Sequence, residues 1–233
     1  MSTESSTEGS TEGSTEDTPQ ARAAAVATVQ RVDALGMNRG STGNLSLRAA
    51  RDGQPGMLIT PTGMGADGLR PQDLVWRGWD GTLHGDWQPS SEWHFHQAIY
   101  LARPDLNAVL HTHSTHAAAL ACLRRELPAF HYMVAVAGGD HVPCVPYHLF
   151  GTEALSQAVA GAMHNRDACL MANHGLVAGG ATLAQAMKVL QEIENLCEVY
   201  LKALAVGEPA VLSGAQMAEV LAKFRSYGRA ARA

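Results

Sequence analysis

Two histidines flank one threonine in Val109-Leu110-His111-Thr112-His113, at the end of an apolar run. If that run is a strand, alternation projects both imidazoles to one face. There they form half of a nitrogen-rich site for zinc or a similar divalent cation. Read alone, the pair also fits a polar strand end with solvated rings. His174, in Asn173-His174-Gly175, is a third candidate ligand, at a strand-to-turn position where glycine permits close backbone approach. Glu92 is the leading fourth ligand because it follows Ser90-Ser91 at a helix start just ahead of the histidine strand. A carboxylate there also suits the helix end itself. A cation held by neutral imidazoles keeps its charge and acts as a Lewis acid, which thiolates would quench.

Other histidines carry less. His94 and His96 sit two apart on an expected helix, about 200° around its axis, so they cannot face one metal together. Glu92 and His96, four apart, share a helix face and leave a Glu-x-x-x-His pair open. His84, His141 and His164 lie in turn-like or polar contexts, while His116, His131 and His148 suit supporting or surface roles. Lys188, Lys202 and Lys223 fall on expected helices away from every motif, which argues against Schiff-base chemistry. Cys122, Cys144, Cys169 and Cys197 form no CxxC and have apolar neighbours, so buried free thiols in a reducing compartment are expected.

The elements that must position these residues are legible from periodicity. Residues 1–18 repeat Ser-Thr-Glu-Gly units and read as a disordered tail, followed by one domain over 19–233. Thr18 and Pro19 open a helix to about Leu35 that Gly36 ends. Asn44–Arg48, Met57–Thr60, Leu74–Trp79 and Thr82–His84 read as antiparallel hairpin strands, the last two around Asp80-Gly81. A helix runs from Ser90-Ser91 through Leu101, with Glu92 in its first turn. Ala108–His113, Met133–Ala137, Ala168–Met171 and Leu176–Ala178 read as strands; Ala117–Arg125, Glu153–His164, Leu183–Val206 and a segment from Ser213 to about Phe224 read as helices. In the long helix, Met187, Leu190, Ile193, Leu196 and Val199 have core spacing. The order implies a single-domain α/β layered fold with a central mixed, largely antiparallel sheet covered by helices.

A formal charge of −5 gives no basic footprint for nucleic acid or an anionic membrane. No apolar run approaches the roughly 20 residues of a spanning helix, and the first residues do not resemble a secretory signal. A cytoplasmic enzyme acting on a small soluble molecule is the expectation.

Several short stretches together resemble the class II aldolase/adducin family, and within it the bacterial L-fuculose-phosphate aldolase branch. They are Gly43-Asn44-Leu45-Ser46, Ile59-Thr60-Pro61-Thr62-Gly63, Pro89-Ser90-Ser91-Glu92-Trp93, His111-Thr112-His113, His131-Tyr132-Met133, Ala137-Gly138-Gly139, Phe150-Gly151-Thr152, Asn173-His174-Gly175-Leu176 and Tyr227-Gly228. The resemblance implies that His111, His113 and His174 bind Zn2+ (or Mn2+ or Co2+), with Glu92 as a fourth ligand that moves off to act as acid/base. It implies that Gly43, Asn44, Thr62, Gly63, Ser90 and Ser91 cradle a substrate phosphate, that catalytic Tyr132 reaches the site from a neighbouring subunit and handles the proton of the leaving hydroxyl, and that Tyr227 closes the site or holds the aldehyde end. A homotetramer with shared sites follows.

Such an enzyme would cleave a ketose 1-phosphate, of the L-fuculose or the 5-deoxyribulose/5-methylthioribulose kind, into dihydroxyacetone phosphate and an aldehyde. The same fold also serves pentulose-phosphate 4-epimerases, which carry Asp where Glu92 stands, methylthioribulose-1-phosphate dehydratases, and non-catalytic adducin-like modules. A zinc hydrolase is the outsider, separable by its products. Ser114–Leu120 is more alanine-rich than in the fuculose enzymes, and Asn173 stands where some of them carry a second histidine, so the aldehyde half is left open.

Overall fold

The structure, a computed structural model, describes residues 15–226. In chain order the elements are β1 (Thr15–Glu16), α1 (Pro19–Ala34), β2 (Asn44–Arg51), β3 (Gln54–Ile59), β4 (Val75–Gly78), β5 (Leu83–His84), α2 (Trp93–Ala102), β6 (Ala108–Thr112), α3 (Thr115–Cys122), β7 (Cys144–Val145), α4 (Glu153–Ala162), β8 (Ala168–Met171), β9 (Gly175–Gly180), α5 (Leu183–Leu204) and α6 (Gly214–Ser226). One sheet runs β5-β4-β3-β2-β6-β9-β8-β7, with β1 beside β2. Its pairings are antiparallel except β1 with β2 and β7 with β8, so the mixed, largely antiparallel layered fold expected from the sequence is the one observed.

Alternation along the strands divides the core between two faces. Leu45, Leu47, Leu110 and Leu176 pack under α1, α3 and α5. Met57, Ile59, Val109 and Val177 pack under α2 and α4. Each such buried aliphatic side chain contributes roughly 1.5–3 kcal/mol relative to exposure. His111 and His113 follow Val109 in the alternation and therefore lie on the α2 side, where Phe95 meets the His111 ring edge-on at 5.7 Å. Among the described residues no helix is long and apolar enough to cross a membrane.

Several expectations require correction. Order within the described residues begins at Thr15, because β1 pairs with Ala49 and Ala50 and the Asp17 carboxylate bonds Arg22 at 2.6 Å and Arg51 at 2.8 Å. Arg22 in turn donates to the Pro71 and Leu74 carbonyls. The tail read as 1–18 thus excludes at least 15–18, while residues 1–14 lie outside the described residues. Met133–Ala137 is not a strand but part of a 3₁₀ helix over Tyr132–Ala137, opened where His131 Nδ1 accepts from Met133 N and closed by Gly138 at φ +83°. A five-residue apolar run does not distinguish strand from helix by periodicity. Val199 is exposed, and Cys197 and Tyr200 fill the α5 core positions instead. Cys122 is exposed and Cys144 half-buried, whereas Cys169 and Cys197 are buried; all four are free thiols.

α3, which follows the two histidines directly, is capped from outside its own sequence. Ser114 occupies the N-cap without a side-chain hydrogen bond. The Glu194 carboxylate of α5 accepts instead from His116 N and Ala117 N, both at 2.9 Å. Glu194→Ala leaves two helix-end donors without that acceptor, so we expect a loss of about 1–2 kcal/mol. The melting temperature should fall by about 2–8 °C. A melt superimposable on wild type would refute the cap.

Candidate active site

The site forms where three strand ends and one helix start converge. Asn44, the first residue of β2, lies directly opposite His111 in β6, and Thr112 opposite Leu176 in β9. The β8–β9 turn carries Asn173 at φ +56° and brings His174 over the other two rings. Gly175 makes this approach feasible, since a Cβ there would collide with the Thr112 carbonyl and crowd the His111 ring. Likewise Gly43, at φ +75°, passes so near the His111 carbonyl and the Asn38 side chain that a Cβ has no room. Asn38 Oδ1 accepts from His113 N at 3.1 Å, tying the 38–44 loop to the end of the histidine strand.

The ligating atoms of His111, His113 and His174 lie within 4.8 Å of one another. Glu92 enters between them, Oε2 at 3.3 Å from His111 Nε2 and Oε1 at 3.2 Å from His174 Nε2. It occupies the N-cap of α2 rather than its first turn, and makes no capping bond, which frees its carboxylate for the histidines. His111 Nδ1 donates to the Leu176 carbonyl at 3.0 Å, which fixes the tautomer and leaves Nε2 bare. Burial lowers the pKa values of His113 and His174 to about 4, so both rings are neutral at pH 7. Burial alone pushes the Glu92 carboxyl up; positive charge on its His111 and His174 side, together with the Asn44 amide, outweighs that and holds it well below the usual carboxylate range.

Nitrogen lone pairs and carboxylate oxygens brought together at 3.1–3.3 Å repel unless positive charge sits among them. Glu92 Oε1 is buried without a hydrogen-bond partner. This donor set of imidazole nitrogens with one carboxylate fits a divalent transition metal. The three histidines could hold such a cation.

Beside the histidines opens a cleft of about 320 Å³. It is lined by Gly43, Asn44, Thr62, Gly63, Ser90, Ser91, Glu92, His113 and His174, which brings the residues expected for the phosphate together with those expected for the metal. A bridge between Pro61 and Pro89, with Thr62 N bonding the Gln88 carbonyl and Ser90 N the Thr60 carbonyl, sets Thr62-Gly63 against Ser90-Ser91. Hydroxyls, glycine backbone and the start of α2 could hold an anion here without a cationic side chain. His111 is buried behind the cleft wall.

Tyr132 does not enter this cleft. Its half-exposed ring lines a separate cavity with Met133, Lys188, Val220, Lys223 and Phe224. Lys188 and Lys223 are therefore not remote from every motif, although neither approaches the histidine cleft. Tyr227 lies outside the described residues. His96 is not a ligand: its Nε2 meets Asn44 Oδ1 at 2.5 Å. Sequence reasoning gave no site role to Tyr147 and Phe150 and set His148 aside for a supporting or surface role, yet all three line the cleft from the β7–α4 loop. Their only signal was the Phe150-Gly151-Thr152 stretch.

Fold and site together define a layered α/β enzyme domain with a preformed three-histidine centre beside a cleft lined by hydroxyls and glycine backbone. Residues 23–201 match the family described as Class II Aldolase and Adducin N-terminal domain. The chain is 46% identical over 207 residues to the 5-methylthioribulose-1-phosphate/5-deoxyribulose-1-phosphate aldolase of Rhodospirillum rubrum, covering 89% of this chain and 92% of that protein. It is 45% identical to the L-fuculose phosphate aldolase of Escherichia coli, covering 87% and 93%. A solved L-fuculose 1-phosphate aldolase superposes with a TM-score of 0.85 at 36% identity, covering 89% of this chain and 97% of that one. The chain belongs to the class II aldolase and adducin family, and within it to the enzymes, as a carbon–carbon lyase.

Proposed function

We propose that this enzyme cleaves a ketose 1-phosphate reversibly into dihydroxyacetone phosphate and an aldehyde, using Zn2+ held by His111, His113, His174 and, at rest, Glu92. The observation that carries the reading is Glu92 placed between His111 and His174 at 3.3 and 3.2 Å, in the same cleft as Thr62, Gly63, Ser90 and Ser91. The bound cation supplies Lewis acidity for the electron pair released as the carbon–carbon bond breaks. Gly43, Asn44, Thr62, Gly63, Ser90 and Ser91 hold the phosphate, so the remote binding energy orients the reacting carbons beside Glu92. Among the histidines Glu92 is a weak base; turning away from them raises its basicity, so it takes up a proton from water and then delivers that proton to the dihydroxyacetone phosphate carbon.

Tyr132 handles the proton of the hydroxyl that becomes the aldehyde, reaching the cleft of a neighbouring subunit. Its exposed ring, turned away from its own chain's cleft, supports a shared-site homotetramer. Tyr227 completes the aldehyde side. The relatives' names support 5-methylthioribulose, 5-deoxyribulose and L-fuculose 1-phosphates as substrate candidates.

A coupled assay for dihydroxyacetone phosphate, run against these three sugars with and without chelator, tests the proposal. We expect release from at least one of them and its abolition by the chelator. No release from any, with the metal loaded, would overturn the reading.

A further inference from the structure

Glu92, His96 and Tyr100 recur at every fourth residue at the start of and along α2, while Asn44 and Ser46 alternate along β2. Each set therefore lies on one face of its own element. The two faces meet and their side chains interleave. Asn44 Nδ2 donates to Glu92 Oε2 at 2.9 Å, and Asn44 Oδ1 lies 2.5 Å from His96 Nε2. On the far side of the ring, Ser46 Oγ lies 2.7 Å from His96 Nδ1 and 2.9 Å from the Tyr100 hydroxyl. Ser46 and His96 are 0% exposed and Tyr100 1%.

The proton directions follow from one end. Asn44 Nδ2 donates to Glu92 Oε2, so the Asn44 carbonyl faces His96. His96 must then carry its ring proton on Nε2. Full burial lowers the His96 pKa to about 3, so the ring is neutral and Nδ1 is a bare acceptor for the Ser46 hydroxyl. Ser46 Oγ in turn accepts from Tyr100, whose phenol burial keeps un-ionised. Every donor points towards Glu92. The reverse polarity would press the Asn44 carbonyl against a carboxylate.

We propose that His96 is a positioning residue for proton transfer: it fixes the Asn44 amide so that its N–H holds Glu92 Oε2, leaving Oε1 for the reacting carbon. The inference rests on Glu92 being the acid/base. Satisfied buried networks of this kind orient the groups that act in a site.

The test is exchange of the carbon-bound protons of dihydroxyacetone phosphate for deuterium by the zinc-loaded full chain, followed by NMR. For His96→Leu we expect kcat for exchange to fall about 10–100-fold, with KM within about twofold and zinc content unchanged. His96→Gln, whose amide N–H can replace Nε2–H, should recover most of that loss. The role is overturned if His96→Leu keeps kcat within about twofold of wild type, if Gln rescues nothing, or if only KM moves. Should His96→Leu fail to fold, Ser46→Ala decides, with a reduced kcat at constant KM expected and wild-type exchange overturning the role. Glu92→Gln, measured alongside, separates the two readings. Undiminished exchange there sinks the acid/base role itself, whereas an inactive Glu92→Gln beside a wild-type-like His96→Leu sinks only the positioning role.

Discussion

Glu92→Gln will lower turnover by about 10²–10⁴-fold, the range that loss of a positioned acid/base costs, while the protein stays folded. The substitution keeps the shape of the side chain, and a glutamine oxygen can still accept from Asn44 Nδ2 as Glu92 Oε2 does. What it removes is the group that can carry a proton. The carboxyl is held low by its neighbours, so wild-type Glu92 is ionised across the neutral range and begins each cycle ready to accept. The decisive readout is proton exchange into dihydroxyacetone phosphate in the absence of aldehyde, since that half-reaction isolates the transfer. Exchange at the wild-type rate in Glu92→Gln would remove the residue from the chemistry, whatever happened to cleavage.

The parts of this site that could be read from the sequence are those set by local periodicity. His111 at the end of β6 and His113 just past it had to share a face because strand alternation is rigid, and Ser90-Ser91-Glu92 had to sit at a helix start because the apolar pattern begins just after it. What escaped depends on contacts distant in sequence. The i, i+4 pair Glu92 and His96 invites a shared-metal reading; only the register of β2 against β6, with Asn44 opposite His111, interposes an amide between them. β1 escaped for the same reason. A Thr-Glu pair in a low-complexity stretch has no strand signal of its own, and Asp17 holds it through Arg22 and through Arg51, 34 residues away. The 3₁₀ segment at Tyr132–Ala137 is apolar enough for a strand, and its Tyr132 faces a cavity beside α5 and α6 rather than the cleft. Tyr147 and Phe150 sit in a loop without periodicity, so nothing local announced that they reach the cleft.

Removing one metal ligand gives the second large effect. His113→Ala leaves two imidazoles and a carboxylate, and we expect metal content near zero after dialysis and a loss of at least about 10³-fold in turnover, as Lewis-acid stabilisation is withdrawn. The fold should survive, unlike a zinc finger's, because the ligands are placed by the sheet: His111 by its bond to the Leu176 carbonyl, His113 by Asn38, and His174 by the β8–β9 turn. Wild type stripped of metal should melt lower by about 5–10 °C than protein holding it at 100 times its dissociation constant, a linkage of about 2.7 kcal/mol. The stripped protein also has a predictable acid response. His113 and His174 titrate near 4 when folded against 6.5 in the unfolded chain. Between those values the unfolded state binds more protons, so stability contributed by these rings falls as pH drops from about 6.5 to about 4 and levels off below. His113→Ala should flatten that slope in the stripped protein. Metal content and turnover unchanged in His113→Ala would show that the three rings do not act together on one cation.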